Sequence, residues 1–166
     1  MDLHFFLILV HIVGTVLGVG GATFAEIFLL KSLRDGVVDP HETSTLRTVY
    51  MVLRIGLTLA IISGFGFLVL YRLEGHASYL YNEALWAKIV IILVILVNAL
   101  VLTAHRVPMW LGSALSLTSW YAALIVGYLI GPGDYGFFEI LGYYVVAVAG
   151  VAAALFIVRR LIGIHY

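Results

Sequence analysis

The stretch LILVHIVGTVLGVGGATFAE, Leu7–Glu26, is apolar enough to lie in a lipid bilayer, yet it contains two ionisable side chains. His11 lies in its first half, four glycines follow, and Glu26 ends it. A transmembrane helix needs about 20 predominantly apolar residues, which this stretch supplies. Ionisable residues inside such helices are rare and usually have a function. The stretch therefore predicts a membrane-spanning helix that holds a functional histidine.

The composition of the whole chain predicts an integral membrane protein. Of its 166 residues, 63% are hydrophobic and 11% are charged, and the mean hydropathy is +1.12. Soluble domains contain about 25% charged residues, so the main partner of this surface is the lipid bilayer. The net charge of zero argues against nucleic acid as a partner. The lack of cysteine excludes disulfides, iron–sulfur clusters and covalently attached c-type haem.

Five hydrophobic stretches predict an all-α bundle, a single transmembrane domain over residues 1–166. Polar segments and the turn signals Pro40, Pro108 and GPGDYG separate these stretches. The turn between the third and fourth stretch is short, which predicts an antiparallel hairpin. The predicted spans are Leu3–Leu30, Leu46–Leu73, Ala84–His105, Met109–Ile130 and Phe137–Ile162.

The distribution of basic residues predicts the orientation of the chain. Positive side chains are enriched in cytoplasmic loops, and if the spans alternate, most of them fall on one side. The N-terminus is then outside and the C-terminus is in the cytoplasm, and we expect a bacterial inner (plasma) membrane. The residues on the cytoplasmic side are Lys31, Arg34, Arg47, Arg106, Arg159 and Arg160.

His11 and the glycines that follow it allow two interpretations. Gly14 and Gly18 share a broad helix face with His11. In the first, His11 is a metal ligand and the glycines let a flat ring lie against the helix, with Tyr121 among the aromatic residues around it. Small residues, aromatics and one histidine are what a membrane haem pocket requires. In the second, the glycines only allow a neighbouring helix to pack closely, and His11 forms a hydrogen bond with a neighbouring helix.

Glu26, Arg54 and Lys88 are the other ionisable residues at membrane depth. Glu26 and Arg54 have similar predicted depths, which suggests an ion pair between spans one and two, because an unpaired arginine there is costly. Alternatively, Arg54 binds an anionic ligand carboxylate such as a propionate. Lys88 lies near the outer boundary, where it either extends to the lipid headgroups or turns inward at a depth close to that of His11.

The first 106 residues resemble a known family of small membrane proteins. An early histidine in span one, the second span LRTVYMVLRIGLTLAIISGFGFLVL and the third span LWAKIVIILVILVNALVLTAHR are similar to HemJ-type protoporphyrinogen IX oxidases and to CopD-like copper-resistance membrane domains. His11, Arg54 and Trp86-x-Lys88 match positions of those families. The resemblance implies a haem b with His11 as its metal ligand. It further implies an oxidoreductase in which Lys88 lies near the iron or the tetrapyrrole and Arg54 is a charge partner.

Three functions follow as alternatives from these residues. The first is a membrane haem protein with a redox role, either electron transfer or tetrapyrrole oxidation. The second is a small metal or solute transporter that uses His11 and Lys88 at its outer mouth. The third is a non-catalytic membrane subunit of a larger complex. A homo-oligomer and a membrane redox partner are both compatible with the sequence.

Overall fold

The computed structural model describes residues 2–32, 39–104, 106, 108–130 and 135–161. Within this part of the chain, five α-helices are long and apolar enough to cross a membrane, and there is no β-strand. The predicted all-α bundle is confirmed, and the helices indicate an integral membrane protein with lipid contact. The helices are α1 (Leu3–Ser32), α2 (Pro40–Leu73), α3 (Glu83–Thr103), α4 (Met109–Leu129) and α5 (Phe137–Leu161).

The second helix begins six residues before the predicted start of span two. Asp39 is the N-cap: its carboxylate accepts a hydrogen bond from the Glu42 backbone N–H at 2.8 Å, and the Glu42 side chain accepts one from the Asp39 N–H. Pro40 occupies the first turn, where its missing N–H leaves no helical bond unmade. Because of this reciprocal capping box, the helix begins within a segment that the sequence alone indicated as a loop. Of the predicted span ends, His105 and Ile162 lie outside the described residues.

The helices pack as an antiparallel bundle in which α1 lies between α2 and α4. The fourth helix also packs against α3 and α5, and the predicted α3–α4 hairpin is confirmed. Among the described residues, α2 has little direct contact with α3. We call the end of the bundle that carries the start of α1 and the short 3-10 helix Ala77–Tyr81 the N-terminal face. The opposite end, which carries the last turn of α5, is the C-terminal face.

Small residues set the close approach of α1 to α2. A Cβ atom added to Gly14 would lie 2.7 Å from the Ala60 backbone nitrogen and 2.9 Å from the Gly56 carbonyl oxygen. A Cβ atom added to Gly56 would lie 2.8 Å from the Gly18 backbone nitrogen. The two backbones therefore touch directly, as small residues allow in membrane helices. This contact is the close helix packing that the second interpretation of the glycine face predicts.

A buried ion pair ties the ends of three helices together near the C-terminal face. The Arg159 guanidinium donates to the Glu26 carboxylate at 2.5 Å and to the Ser113 hydroxyl at 2.9 Å. Arg159 is 1% exposed and Glu26 is 4% exposed. The predicted Glu26–Arg54 pair is wrong, because Arg54 is exposed and donates to the Thr103 hydroxyl at 3.2 Å instead. Similar depth did not imply adjacency: the carboxylate of Glu26 faces α4 and α5.

Candidate functional site

The imidazole of His11 lies at a junction of three helices near the N-terminal face. Its Nδ1 atom is 2.9 Å from the Ser63 hydroxyl on α2, and its Nε2 atom is 3.2 Å from the Lys88 ammonium on α3. The ring of Phe67 meets the imidazole edge to face, with 5.8 Å between the ring centroids. His11 and Lys88 are both half-buried. The predicted turn of Lys88 towards His11 is thus present in the fold.

The hydrogen bonds of Ser63 fix the tautomer of His11. The Ser63 hydroxyl donates its one proton to the Leu59 carbonyl oxygen at 2.6 Å, in the backbone-directed bond that serine forms in helices. Its oxygen is then available only as an acceptor for His11, so the imidazole donates from Nδ1. The lone pair of the ring is consequently on Nε2, which accepts a hydrogen bond from Lys88. A metal-ligating histidine has this arrangement, in which its second nitrogen is held by a hydrogen bond.

A glycine on α4 makes room for the ammonium group of Lys88. A Cβ atom added to Gly127 would lie 2.9 Å from Lys88 Nζ. The long stem of this lysine therefore crosses the surface of α4 and ends at His11 on α1. The side chain thus connects α3 to α1, two helices that have little direct contact among the described residues. A lysine has three N–H donors, and His11 Nε2 accepts one of them. The site is a small polar cluster that contains one acceptor nitrogen and one cationic donor.

The glycine face that was expected to receive a flat ring is filled by other parts of the chain. Gly14 contacts the backbone of α2 as described above. At Gly18, an added Cβ atom would lie 2.1 Å from the indole ring of Trp120, which is 2% exposed. A cofactor ring could lie against Gly14 and Gly18 only if α2 and this indole moved away. The structure therefore does not support the predicted contact of these two glycines with a cofactor.

Arg54 and Tyr121 lie at a distance from the His11–Lys88 pair. Arg54 comes before Ser63 on α2, about 13 Å closer to the C-terminal face at 1.5 Å per residue. Its side chain turns towards the last residue of α3. The hydroxyl of Tyr121 lies 3.1 Å from that of Thr23, and its side chain is exposed. The structure thus brings His11 and Lys88 together. It places Arg54 and Tyr121 away from this pair. Cofactor binding by Arg54 and Tyr121 stays a prediction that the site geometry does not support.

Gly127 and Phe67, which also surround the site, were not assigned a role from the sequence. A glycine in an apolar helix has many structural uses, and Phe67 is one of nine phenylalanines. Ser63 was predicted only as part of a patch of small residues on span two, with Gly64 and Gly66, and not as a partner of His11. One signal was present for Ser63, since serine is polar and stands two turns and a half from the nearest charged residue of span two. The identity of its partner depends on the helix register, which sequence periodicity does not give.

The donor set around His11 consists of one imidazole nitrogen, which is compatible with a ligand of haem iron. Among the described residues, no group of three or more His, Asp or Glu side chains could hold a metal ion. A haem iron already has four ligands from the porphyrin and takes one or two from the protein. Searches against protein-family models, curated proteins and solved structures find no match to this chain.

Proposed function

We propose that this chain is an integral membrane haem b protein with a redox role, in which His11 Nε2 would hold the haem iron. One observation carries the proposal: the Ser63 hydrogen bond leaves the lone pair of Nε2 directed towards the cationic side chain of Lys88. The resemblance of spans one to three to HemJ-type and CopD-like proteins supports the same assignment. In this proposal the ring does not lie against Gly14 and Gly18, because other parts of the chain fill that face.

The residues of the chain have separate tasks in this proposal. Haem, when bound, supplies one-electron transfer through its iron. Ser63 holds Nδ1 of His11 and so keeps the imidazole in one tautomer and one orientation. Lys88, which donates to Nε2 of His11 in the structure, would supply a cationic hydrogen-bond donor next to a group bound there. The proposal places the N-terminal face outside a bacterial plasma membrane and leaves electron exchange to a membrane partner or a second copy of the chain.

Substitution of His11 tests the proposal directly. We expect protein purified in detergent from cells supplied with haem to show a Soret band, and His11→Ala to lose it. The measurement is the absorption spectrum together with haem quantification after acid extraction. A matched control is His4→Ala, because His4 lies on the same helix, two turns closer to the N-terminal face, where its ring contacts Phe67 and Tyr71.

The fold of each variant must be retained for this comparison. Unchanged helical circular dichroism and elution volume establish that His11→Ala is intact. A colourless parent protein, or a Soret band that survives in the intact His11→Ala protein, would overturn the proposal. Metal analysis of a colourless parent then distinguishes a metal-handling protein from a subunit without a cofactor.

A further inference from the structure

The ammonium group of Lys88 has more N–H donors than the described residues have acceptors for it. Its one hydrogen bond within that part of the chain is to His11 Nε2. Among the described residues, no carboxylate lies within 4 Å of it, because the ion pairs found there join Glu74 to His76 and Glu26 to Arg159. A charged group in the hydrocarbon layer without a partner is costly and is usually met by water. The two remaining donors therefore point to water at the site.

Water from the C-terminal face is blocked along the α1–α2 interface. Beyond His11, the backbone of α1 touches that of α2 at Gly14, as described above. At Gly21, an added Cβ atom would lie 2.9 Å from the side chain of Leu53. Trp120 closes the α4 side of the same helix at Gly18. These three successive contacts close the side of α1 that carries the glycines between His11 and the C-terminal face.

The side towards the N-terminal face has space and polar groups. A Cβ atom added to Gly64 would meet only the Cε1 atom of His11, at 3.8 Å, which is an ordinary van der Waals contact. Phe67 lies between His11 and His4 and meets each ring at a centroid distance of 5.8 Å. The ring of His4 in turn contacts Tyr71. All of these residues are half-buried rather than fully packed.

We propose that the His11–Lys88 pair is open to water from the N-terminal face, past His4, Phe67 and Gly64, and closed from the C-terminal face. Phe67 is an apolar side chain on this path whose ring contacts both imidazoles. The use of this path in redox chemistry rests on the proposed function, whereas the access itself does not.

The absence of cysteine makes the path measurable with single-cysteine variants. Gly64→Cys places a thiol beside His11 where the structure has room for it. The probe is a cationic, membrane-impermeant methanethiosulfonate reagent, which reacts with thiolates in water and not with thiols in lipid. The full-length protein is reconstituted in vesicles, and the reagent is added either outside or inside. We expect Gly64→Cys to react only when the reagent is on the N-terminal face.

Three control variants define the two faces and the lipid. Tyr81→Cys is exposed in the 3-10 helix and reports the N-terminal face, and Ser44→Cys is exposed in the polar first turns of α2 and reports the C-terminal face. Ile62→Cys has nearly the same depth as Gly64 but is 61% exposed on the outer surface of the bundle. We expect this lipid-facing thiol to react from neither face.

The outcomes separate the access path from the haem proposal. Reaction of Gly64→Cys from the C-terminal face, or the same absence of reaction as Ile62→Cys, would overturn the path. His11→Cys is the second variant, because it puts the thiol at the site itself and is read in the same way. A colourless protein with face-restricted labelling retains the path and loses the haem. A protein that binds haem but is labelled from neither face would retain the haem proposal and overturn the path.

Discussion

Replacement of Arg159 with methionine is expected to lower the free energy of unfolding by about 3–5 kcal/mol, the range for breaking a buried ion pair by removing one partner. The reason is the position of Glu26. Its carboxylate is 4% exposed, and Arg159 is the hydrogen-bond donor to it among the described residues. Without this guanidinium, a buried carboxylate is left uncompensated or must take up a proton. Ser113 also loses the N–H that its hydroxyl accepts.

The measurement is reversible unfolding in mixed detergent micelles, followed by helical circular dichroism. Arg160→Met is the matched control, because Arg160 is the next residue, is exposed, and lies over the ring of Phe156 at 5.3 Å. An exposed cation–π contact contributes about 0.5–1 kcal/mol, so the control is expected to stay close to the parent protein. Equal effects of the two methionine substitutions would show that Arg159 is not the buried partner of Glu26.

A double substitution shows whether the two side chains act as a pair. Glu26→Leu together with Arg159→Met removes both charges, and replacing a buried ion pair by apolar residues is often neutral or stabilising. We therefore expect the double variant to be more stable than either single variant. Effects that simply add would contradict the direct contact, because residues that do not interact give additive changes.

The helices followed from the sequence because their determinants are local. A run of about 20 apolar residues bounded by turn signals specifies a membrane helix without knowledge of its neighbours. The exception is the start of α2, whose determinant is also local. The Asp39–Glu42 capping box is present in the sequence, but the polar residues around it suggest a loop instead. Boundaries set by a cap are less visible than boundaries set by a change in hydropathy.

The partners of the ionisable residues did not follow in the same way. Depth is readable from sequence position, and it correctly placed Lys88 near the level of His11. Rotation and helix adjacency are not readable, and they decide that Glu26 faces Arg159 rather than Arg54. Arg159 belongs to a pair of adjacent arginines at the end of a span, where cytoplasmic anchoring is the usual role. Only the packing of α5 against α4 shows that one of the two is buried.

Gly14→Ala is expected to destabilise the bundle by about 3 kcal/mol, the upper end of the usual range for overpacking. The added methyl would lie 2.7 Å from one backbone atom of α2 and 2.9 Å from another. Backbone atoms in a packed helix cannot turn aside as the end of a flexible side chain can, so the two helices must separate. Gly20→Ala is the matched control on the same helix, because nothing lies within 4 Å of its added Cβ atom.

The same pair of variants distinguishes the two interpretations of the glycine face. If the face packs against α2, Gly14→Ala lowers the unfolding midpoint, whereas Gly20→Ala leaves it unchanged or raises the stability by up to about 1 kcal/mol through helix propensity. If a flat ring occupied the face instead, Gly14→Ala would abolish the Soret band while the protein without cofactor kept its stability. Normal stability of Gly14→Ala would therefore show that α1 and α2 are further apart than the structure places them. The interpretation in which a cofactor ring lies against the glycine face would then be favoured.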